Sequence, residues 1–362
     1  MIKDRLRALD SRLFILVLVL TLIGTLTLFS AGRGTAQSGL WIKQTAWNLA
    51  GFAFMAYLGT TDPTRILRSS LLIYVAGILS LVAVLAVGHR IGGAQRWLVL
   101  GGQTFQPSEL MKWATLLFVA HRLGVRQPDQ VTRIELAGAV AIVLFPMLLV
   151  LKQPDLGMAL SFTPILLLLP LMKGLRVRTI LIILALLPIV GVVAWKKVLK
   201  PYQKQRIETF LDPSSDIQGK GYQINQSRIA IGSGGLVGKG FTAGSQTQLN
   251  YLPVKTTDFV FAVWAEERGF LGVLLALGLY GAFLMRLLQT AKEARSASEL
   301  YFCVGAAGIF GMHLIVNVGM VAGALPNKGI ALPFFSYGGS STLSFFLALG
   351  VVMGVWRRAK AK

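Results

Sequence analysis

Apolar runs free of Asp, Glu, Lys and Arg dominate the chain, and nine of them are at least 16 residues long: 13–32, 44–61, 69–89, 136–151, 156–172, 179–195, 269–285, 300–327 and 329–356. A membrane-spanning helix needs about 20 mostly apolar residues, so each run is read as a span. A tenth segment, 105–121, has the same length and apolar residues at Leu110, Met111, Trp113, Leu116, Leu117 and Phe118, although it also carries Glu109 and Lys112. The pattern predicts an all-α polytopic membrane protein of about ten transmembrane helices, with both termini on one side. The only long hydrophilic stretch, 196–257, is predicted to be a large loop between spans seven and eight. No repeat of fixed period divides the chain, so residues 1–362 read as a single membrane domain.

Composition points the same way. Apolar residues make up 54% and charged residues 14%, against about 25% charged in an ordinary soluble domain, which excludes a soluble enzyme and a disordered chain. The net charge of +21, from 36 Lys and Arg against 15 Asp and Glu, would suggest nucleic acid in a soluble protein. With the N-terminus in the cytoplasm, however, 19 basic residues fall in short cytoplasmic segments and six in short outer loops. That asymmetry orients membrane proteins and makes the 196–257 loop extracytoplasmic. Basic residues scattered over separate turns, with no single stripe of interleaved aromatics, argue against nucleic acid as a partner. The first apolar run is too long for the core of a signal peptide. One cysteine, Cys303, excludes an internal disulfide, and His89, His121 and His313 are too dispersed for a zinc site. In the large loop, Tyr202, Phe210, Tyr222 and Ile224 argue against disorder, and Ile224 to Ile231 has helical spacing suited to lying along the membrane surface.

Ionisable side chains inside a membrane are costly and mark function. In the predicted topology Glu109, Lys112, Asp155, Asp258 and the Gly- and Pro-containing stretch 323–341 all face the outer compartment. A transporter would place such groups near the midplane in broken helices; concentration at one interface suits chemistry on a substrate presented at the outer leaflet. Glu109 and Lys112 share a helix face, as a packing pair or as a means of aiming Lys112 at an anionic substrate group. Asp258 is either a helix-start residue favoured by the dipole or a general base at the edge of the apolar slab. Glu266 and Glu267, roughly 12 to 13 Å deeper at the helical rise, read as a structural pair. The run Gly232 to Gly240 lacks the Walker spacing; beside Lys239 it forms either a phosphate cradle or a flexible turn. Nine basic residues against three acidic in 196–257 would attract an anionic lipid head group.

Several ordered stretches resemble the SEDS family (shape, elongation, division and sporulation). They are 93–98 (Gly-Ala-Gln-Arg-Trp-Leu), 106–112 (Gln-Pro-Ser-Glu-Leu-Met-Lys), 153–157 (Gln-Pro-Asp-Leu-Gly), 238–240 (Gly-Lys-Gly), 257–262 (Thr-Asp-Phe-Val-Phe-Ala), 265–267 (Ala-Glu-Glu), 317–320 (Asn-Val-Gly-Met) and 332–341 (Leu-Pro-Phe-Phe-Ser-Tyr-Gly-Gly-Ser-Ser). Residues 244–253 are closer to the elongation branch and 326–329 to the division branch, while Val254 and Thr256 stand where the family often has Glu and His. The resemblance implies a peptidoglycan glycosyltransferase that polymerises lipid II on the outer face of the bacterial cytoplasmic membrane. Its implied partners are lipid II and the growing glycan strand, a class B penicillin-binding transpeptidase and other elongation-complex membrane proteins. Asp258 falls at the family's catalytic carboxylate. Lys112, Glu109, Arg96, Arg228, Lys239 and Ser336 are then expected at the substrate, with Trp97, Gln106, Pro107, Ser108, Asp155, Glu266 and Glu267 in support. No cofactor is specified; a divalent cation would suit the pyrophosphate, yet no compact acidic cluster marks its site. The alternatives are a lipid II flippase and a non-catalytic scaffold for the transpeptidase.

Overall fold

The first helix starts where Asp10 accepts hydrogen bonds from the backbone N–H groups of Arg12 and Leu13, an N-cap that satisfies donors the helix itself cannot. The computed structural model describes residues 9–91, 94–125, 132–172, 185, 220–326 and 329–361. In chain order the elements are α1 (Ser11–Gly32), α2 (Leu40–Thr60), α3 (Pro63–Arg68), α4 (Ser70–Val87), β1 (His89–Ile91), β2 (Ala94–Leu100), β3 (Gln103–Phe105), α5 (Pro107–Gly124), α6 (Arg133–Lys152), α7 (Leu156–Leu160), α8 (Thr163–Met172), α9 (Lys220–Ser233), α10 (Ser245–Gln248), α11 (Val260–Lys292), α12 (Ala297–Val321) and α13 (Gly339–Lys360).

Among the described residues six helices are long and apolar enough to cross a membrane: α1, α4, α6, α11, α12 and α13. Helices α2 and α5 have 21 and 18 residues but carry more polar side chains. The run 156–172 is broken into α7 and α8. The run 329–356 becomes a helix only from Gly339, because Pro333 and the backbone bonds of residues 332–338 hold the preceding segment as a loop. The window 179–195 and residues 196–219 of the predicted loop lie outside the described residues, apart from residue 185. The part of the loop that is described contains α9, which turns Ile224, Ser227 and Ala230 inward and leaves Arg228 and Ile229 exposed. Ser227 Oγ donates to the Val321 carbonyl of α12 at 2.7 Å, so one face of α9 is packed on protein and does not lie free on a membrane surface.

The all-α expectation missed a small antiparallel sheet, β1-β2-β3, between α4 and α5. Its β2–β3 hairpin closes through Gly101 and Gly102 at φ 56° and 77°. Positive φ at both central residues is the primed turn that matches strand twist, and glycine supplies it without strain.

Close approach of helices in an apolar protein favours small residues, and the α2–α13 pair shows why. A Cβ at Gly51 would lie 2.3 Å from the Phe346 ring, and one at Gly350 would lie 2.7 Å from Leu58 Cβ. The centre between α5, α11, α12 and α13 is filled by rings. Phe310 lies 5.0 Å from Phe283, 5.3 Å from Phe345 and 6.0 Å from Phe334, centroid to centroid. One end of the bundle is closed by ion pairs. Arg286 grips Asp10 through Nε at 2.7 Å and Nη2 at 2.9 Å and stacks 4.1 Å over Trp356, Arg358 meets Glu299, and Lys360 meets Glu293 at 2.7 Å.

Helix α11 is broken at Gly269, with φ 62° and ψ −163°, a conformation essentially reserved for glycine. A break inside an apolar slab frees backbone groups that must find partners. The Gly-rich run supplies them: Lys239 and Gly240 donate N–H to the carbonyls of Glu266 and Glu267, while Phe270 and Leu271 donate to those of Gly235 and Leu236. A Cβ on Gly269 would sit 2.3 Å from the Gly238 nitrogen. Gly269→Ala should therefore cost at least ~2 kcal/mol from backbone strain alone, measured as a lowered melting temperature in detergent; an unchanged melting temperature would refute the stitch.

Candidate active site

A cavity of about 340 Å³ lies where the ends of α2, α5, α11 and α13 meet β2, β3 and the α6–α7 turn. Glu109, Asp155, Asp258 and Arg96 all line it, although they are far apart in sequence. Helix starts expose backbone donors, and here the start of α5 brings Pro107, suited to a first turn because it has no N–H to leave unpaired. Gln106, the residue just before, donates its backbone N–H to Ser340 Oγ at 3.0 Å and its side-chain Nε2 to Asp155 Oδ2 at 3.0 Å. Both contacts join α5 to other walls. Ser108 is buried and its hydroxyl makes no hydrogen bond among the described residues.

Asp258 sits in the turn just before α11, half-buried on the cavity wall. Its backbone is fixed from several directions. Asn317 Nδ2 donates to the Asp258 carbonyl at 3.1 Å and to the Ile330 carbonyl at 2.8 Å. Ser336 Oγ donates to the Thr257 carbonyl at 2.6 Å and accepts from the Leu332 N–H at 2.8 Å, and the Tyr337 N–H donates to the Thr256 carbonyl at 2.9 Å. The loop before α13 is thereby bound to the turn carrying Asp258. Gly329 comes close at φ 61°; a Cβ there would be 3.4 Å from Asp258 Oδ2.

Glu109 and Lys112 form the expected pair, with Nζ to Oε2 at 2.6 Å. Only Glu109 lines the cavity. Lys112 is 0% exposed and extends away, to His313 Nε2 at 3.2 Å and to 4.6 Å from the Phe345 ring centroid. An ammonium only donates, so His313 Nε2 accepts and its Nδ1–H donates to the Ala331 carbonyl at 2.9 Å. The expectation that Lys112 faces substrate is corrected: the interior holds it as counter-charge and anchor for Glu109.

Arg96 is the only basic residue among the described ones on this cavity. Its Nε donates to the Gln153 carbonyl at 3.3 Å and Nη2 to the Pro154 carbonyl at 2.6 Å, with Nη1 3.4 Å from Asp155 Oδ2. A guanidinium has five N–H donors; among the described residues three are engaged, one on each nitrogen. Asp155 also accepts from the Met158 N–H at 3.1 Å. Burial raises its carboxyl above the usual carboxylate range, and the neighbouring Arg96 works against that shift.

The remaining expected residues lie elsewhere. Lys239 is bound to Glu266 at 2.9 Å and to Ser245 at 2.7 Å. The N–H groups of Gly238, Lys239 and Gly240 are donated to backbone carbonyls, so of the two alternatives for this run the turn fits and the phosphate cradle does not. Glu266 also accepts from the N–H groups of Gln246 and Thr247 at 2.8 and 3.1 Å, and Glu267 accepts from Thr242 N–H at 3.1 Å and from Ser30. Arg228 is exposed on α9 beside Gly323. Neither Arg228, Lys239 nor Ser336 lines the cavity. Trp97 does. Among the described residues no three His, Cys, Asp or Glu side chains gather as metal ligands.

Sequence reasoning missed Asn317 and His313 as parts of this site, and Trp47 on its wall. The first two were signalled: polar residues four apart on one face of an apolar helix need partners. Trp47 carried no signal, since an indole in a span reads as packing.

A second cavity, about 530 Å³, is lined almost wholly by apolar side chains from α2, α3, α4, α5, α12 and α13, with Phe105, Pro107, Leu110 and Trp113 at its border. The two cavities share one partition. Thr104, Gln106 and Glu109 face the polar one, while Phe105, Pro107 and Leu110 face the apolar one.

The cell cycle protein family FtsW/RodA/SpoVE matches residues 10–361 of this chain. The chain is 38% identical over 354 residues to the peptidoglycan glycosyltransferase MrdB of Escherichia coli (strain K12), covering 97% of this chain and 94% of that protein. It is 32% identical over 423 residues to the peptidoglycan glycosyltransferase RodA of Treponema pallidum, covering 96% and 97%. Among solved structures, a chain of a peptidoglycan synthase complex, described for the structural coordination of polymerization and crosslinking, matches with TM-score 0.85 at 34% identity, covering 98% of this chain and 99% of that one. The rod shape determining protein RodA of Thermus thermophilus matches with TM-score 0.72 at 32% identity, covering 98% of both chains.

Asn317→Ala leaves two buried carbonyls without their donor, at about 1–3 kcal/mol. The expected result is a lower melting temperature in detergent with faster hydrogen exchange at residues 258–262, and unchanged exchange there would rule out the clamp.

Proposed function

This chain belongs to the FtsW/RodA/SpoVE family and is a multi-pass membrane peptidoglycan glycosyltransferase; from that premise we propose that it polymerises lipid II into β-1,4 glycan strands during cell elongation, with Asp258 as the general base. The observation that carries this reading is the convergence of Asp258, Glu109, Asp155 and Arg96 on one cavity beside an apolar one.

Lipid II joins its sugar to undecaprenyl pyrophosphate through an α bond, and the product has β bonds, so the displacement inverts. The acceptor hydroxyl attacks the anomeric carbon as Asp258 takes its proton; the C–O bond to pyrophosphate breaks and the lipid pyrophosphate leaves with the electron pair. Such a leaving group needs cations more than a general acid. Arg96 supplies one, with its remaining N–H donors. Glu109 and Asp155 hold the cavity negative beside Arg96, and Lys112 and His313 keep Glu109 in place. The apolar cavity takes the first part of the polyprenyl chain, so the partition at 104–110 lies at the boundary between head group and tail. No step is assigned to a metal ion.

The charge asymmetry of the loops supports ten spans in the bacterial cytoplasmic membrane, with both termini cytoplasmic and the polar cavity open to the outside. The synthase complex among the matched structures supports a class B penicillin-binding transpeptidase as partner. Flippase and scaffold readings need no carboxylate at residue 258. A positioned base contributes about 10² to 10⁴ in rate. Asp258→Asn, purified in detergent with lipid II, should lose at least a hundredfold in glycan formation at an unchanged melting temperature; normal glycan synthesis would eliminate the base. Arg96→Ala should slow the same reaction about tenfold or more through loss of leaving-group stabilisation, and an unaltered rate would remove Arg96 from the mechanism.

A further inference from the structure

The central rings of this protein are paired with one another: Phe283, Phe310, Phe334 and Phe345 each touch at least two other rings. Three aromatic residues on the polar cavity behave differently. Trp47 from α2, Trp97 from β2 and Tyr337 from the loop before α13 line it half-buried. None of the three is in a ring contact among the described residues; each borders the cavity, while Tyr337 also packs on the apolar core and the Trp47 indole lies against Gly339.

Trp47 is kept at the wall by an absent side chain. A Cβ on Gly339 would lie 2.6 Å from Trp47 Cε2, 2.8 Å from Nε1 and 3.0 Å from Cδ2. Gly339 is the first residue of α13 and is not among the positive-φ glycines, so its backbone does not require glycine. Space for the indole does.

Around these rings stand Gln103, Gln106, Ser340 and Ser341, neutral groups that exchange hydrogen bonds with hydroxyls. An apolar face with a polar rim matches a pyranose, whose ring C–H groups form a weakly positive face and whose hydroxyls point outward. Aromatic faces are negative and attract such C–H groups. We propose that Trp47, Trp97 and Tyr337 form a stacking wall for a sugar ring of the lipid-linked substrate, and that Gly339 sets sugar affinity by admitting the Trp47 indole. This inference rests on the glycosyltransferase reading above and adds the part of the cavity that recognises the saccharide.

The test uses the full-length protein in detergent with lipid II, following initial rates of glycan formation across substrate concentrations. Gly339→Ala adds one methyl group without touching a catalytic group, and it should raise KM about tenfold, equivalent to ~1.4 kcal/mol, with kcat changed less than about twofold. Trp47→Ala should do the same, and Trp47→Phe should recover most of the affinity. A selective rise in KM is the signature of lost ground-state and transition-state binding alike. Unchanged KM in Trp47→Ala, or a fall in kcat at constant KM, overturns the stacking wall. If Gly339→Ala does not fold, Trp47→Ala decides by itself. Failure of the base reading shows separately, as full activity in Asp258→Asn.

Discussion

Lys112 has no contact with water, and an ammonium in that position must be matched by charge and by acceptors or it would be expelled. Glu109 supplies the charge and His313 a lone pair. Because His313 then donates to the Ala331 carbonyl, one chain of contacts runs from α5 through α12 to the loop ahead of α13. That chain ties together three walls of the polar cavity. Removing one partner would strand the others in an apolar interior, so the site and the helix packing around it are one problem in electrostatics. The acids of the polar cavity are each answered: Glu109 from behind by Lys112, and Asp155 within the wall by Arg96 and Gln106.

The broken α11 solves a related difficulty. Asp258 leads into the short first part of this helix, which carries Glu266 and Glu267, and the long apolar part begins after Gly269. A continuous helix would have committed both parts to one axis. The break separates them, and the Gly-rich run makes the separation tolerable by pairing with the freed backbone. Glu266 then organises the loop on the other side, accepting from the start of α10 while holding Lys239. Backbone irregularity in an apolar protein survives only where protein covers it, and here the cover is a loop whose glycines allow carbonyl and amide to meet at close range.

Much of this was legible in the chain. Long apolar runs marked the helices, and Glu109, Asp155 and Asp258 stood out as costly residues near predicted span ends; the structure brings all three to one cavity. Other inferences failed for identifiable reasons. Spacing placed Glu109 and Lys112 on one face but said nothing about which would turn outward, since that depends on His313, two hundred residues away. A cluster of glycines beside a lysine looks alike whether its amides await an anion or a helix break. The strands at 89–105 were hidden because short segments carry little signal beside spans, although Gly101-Gly102 directly after the apolar run Leu98-Val99-Leu100 was a hairpin cue. Trp47 and Gly339 were invisible in principle: their relation is a distance between two helices, and no local pattern encodes it.

The ring cluster beneath the polar cavity carries a consequence for the cell. A polar recess in a protein with membrane-crossing helices thins the apolar barrier locally, and a continuous polar path past it would let ions through. Phe283, Phe310, Phe334 and Phe345 interlock in that interior, and the imidazole of His313 packs edge-on against Phe345. Their close packing leaves little room for a file of hydrated ions. A polar site can thus sit inside a multi-pass membrane protein without opening a path through it, and an enlarged gap among these rings would be felt first as leakage.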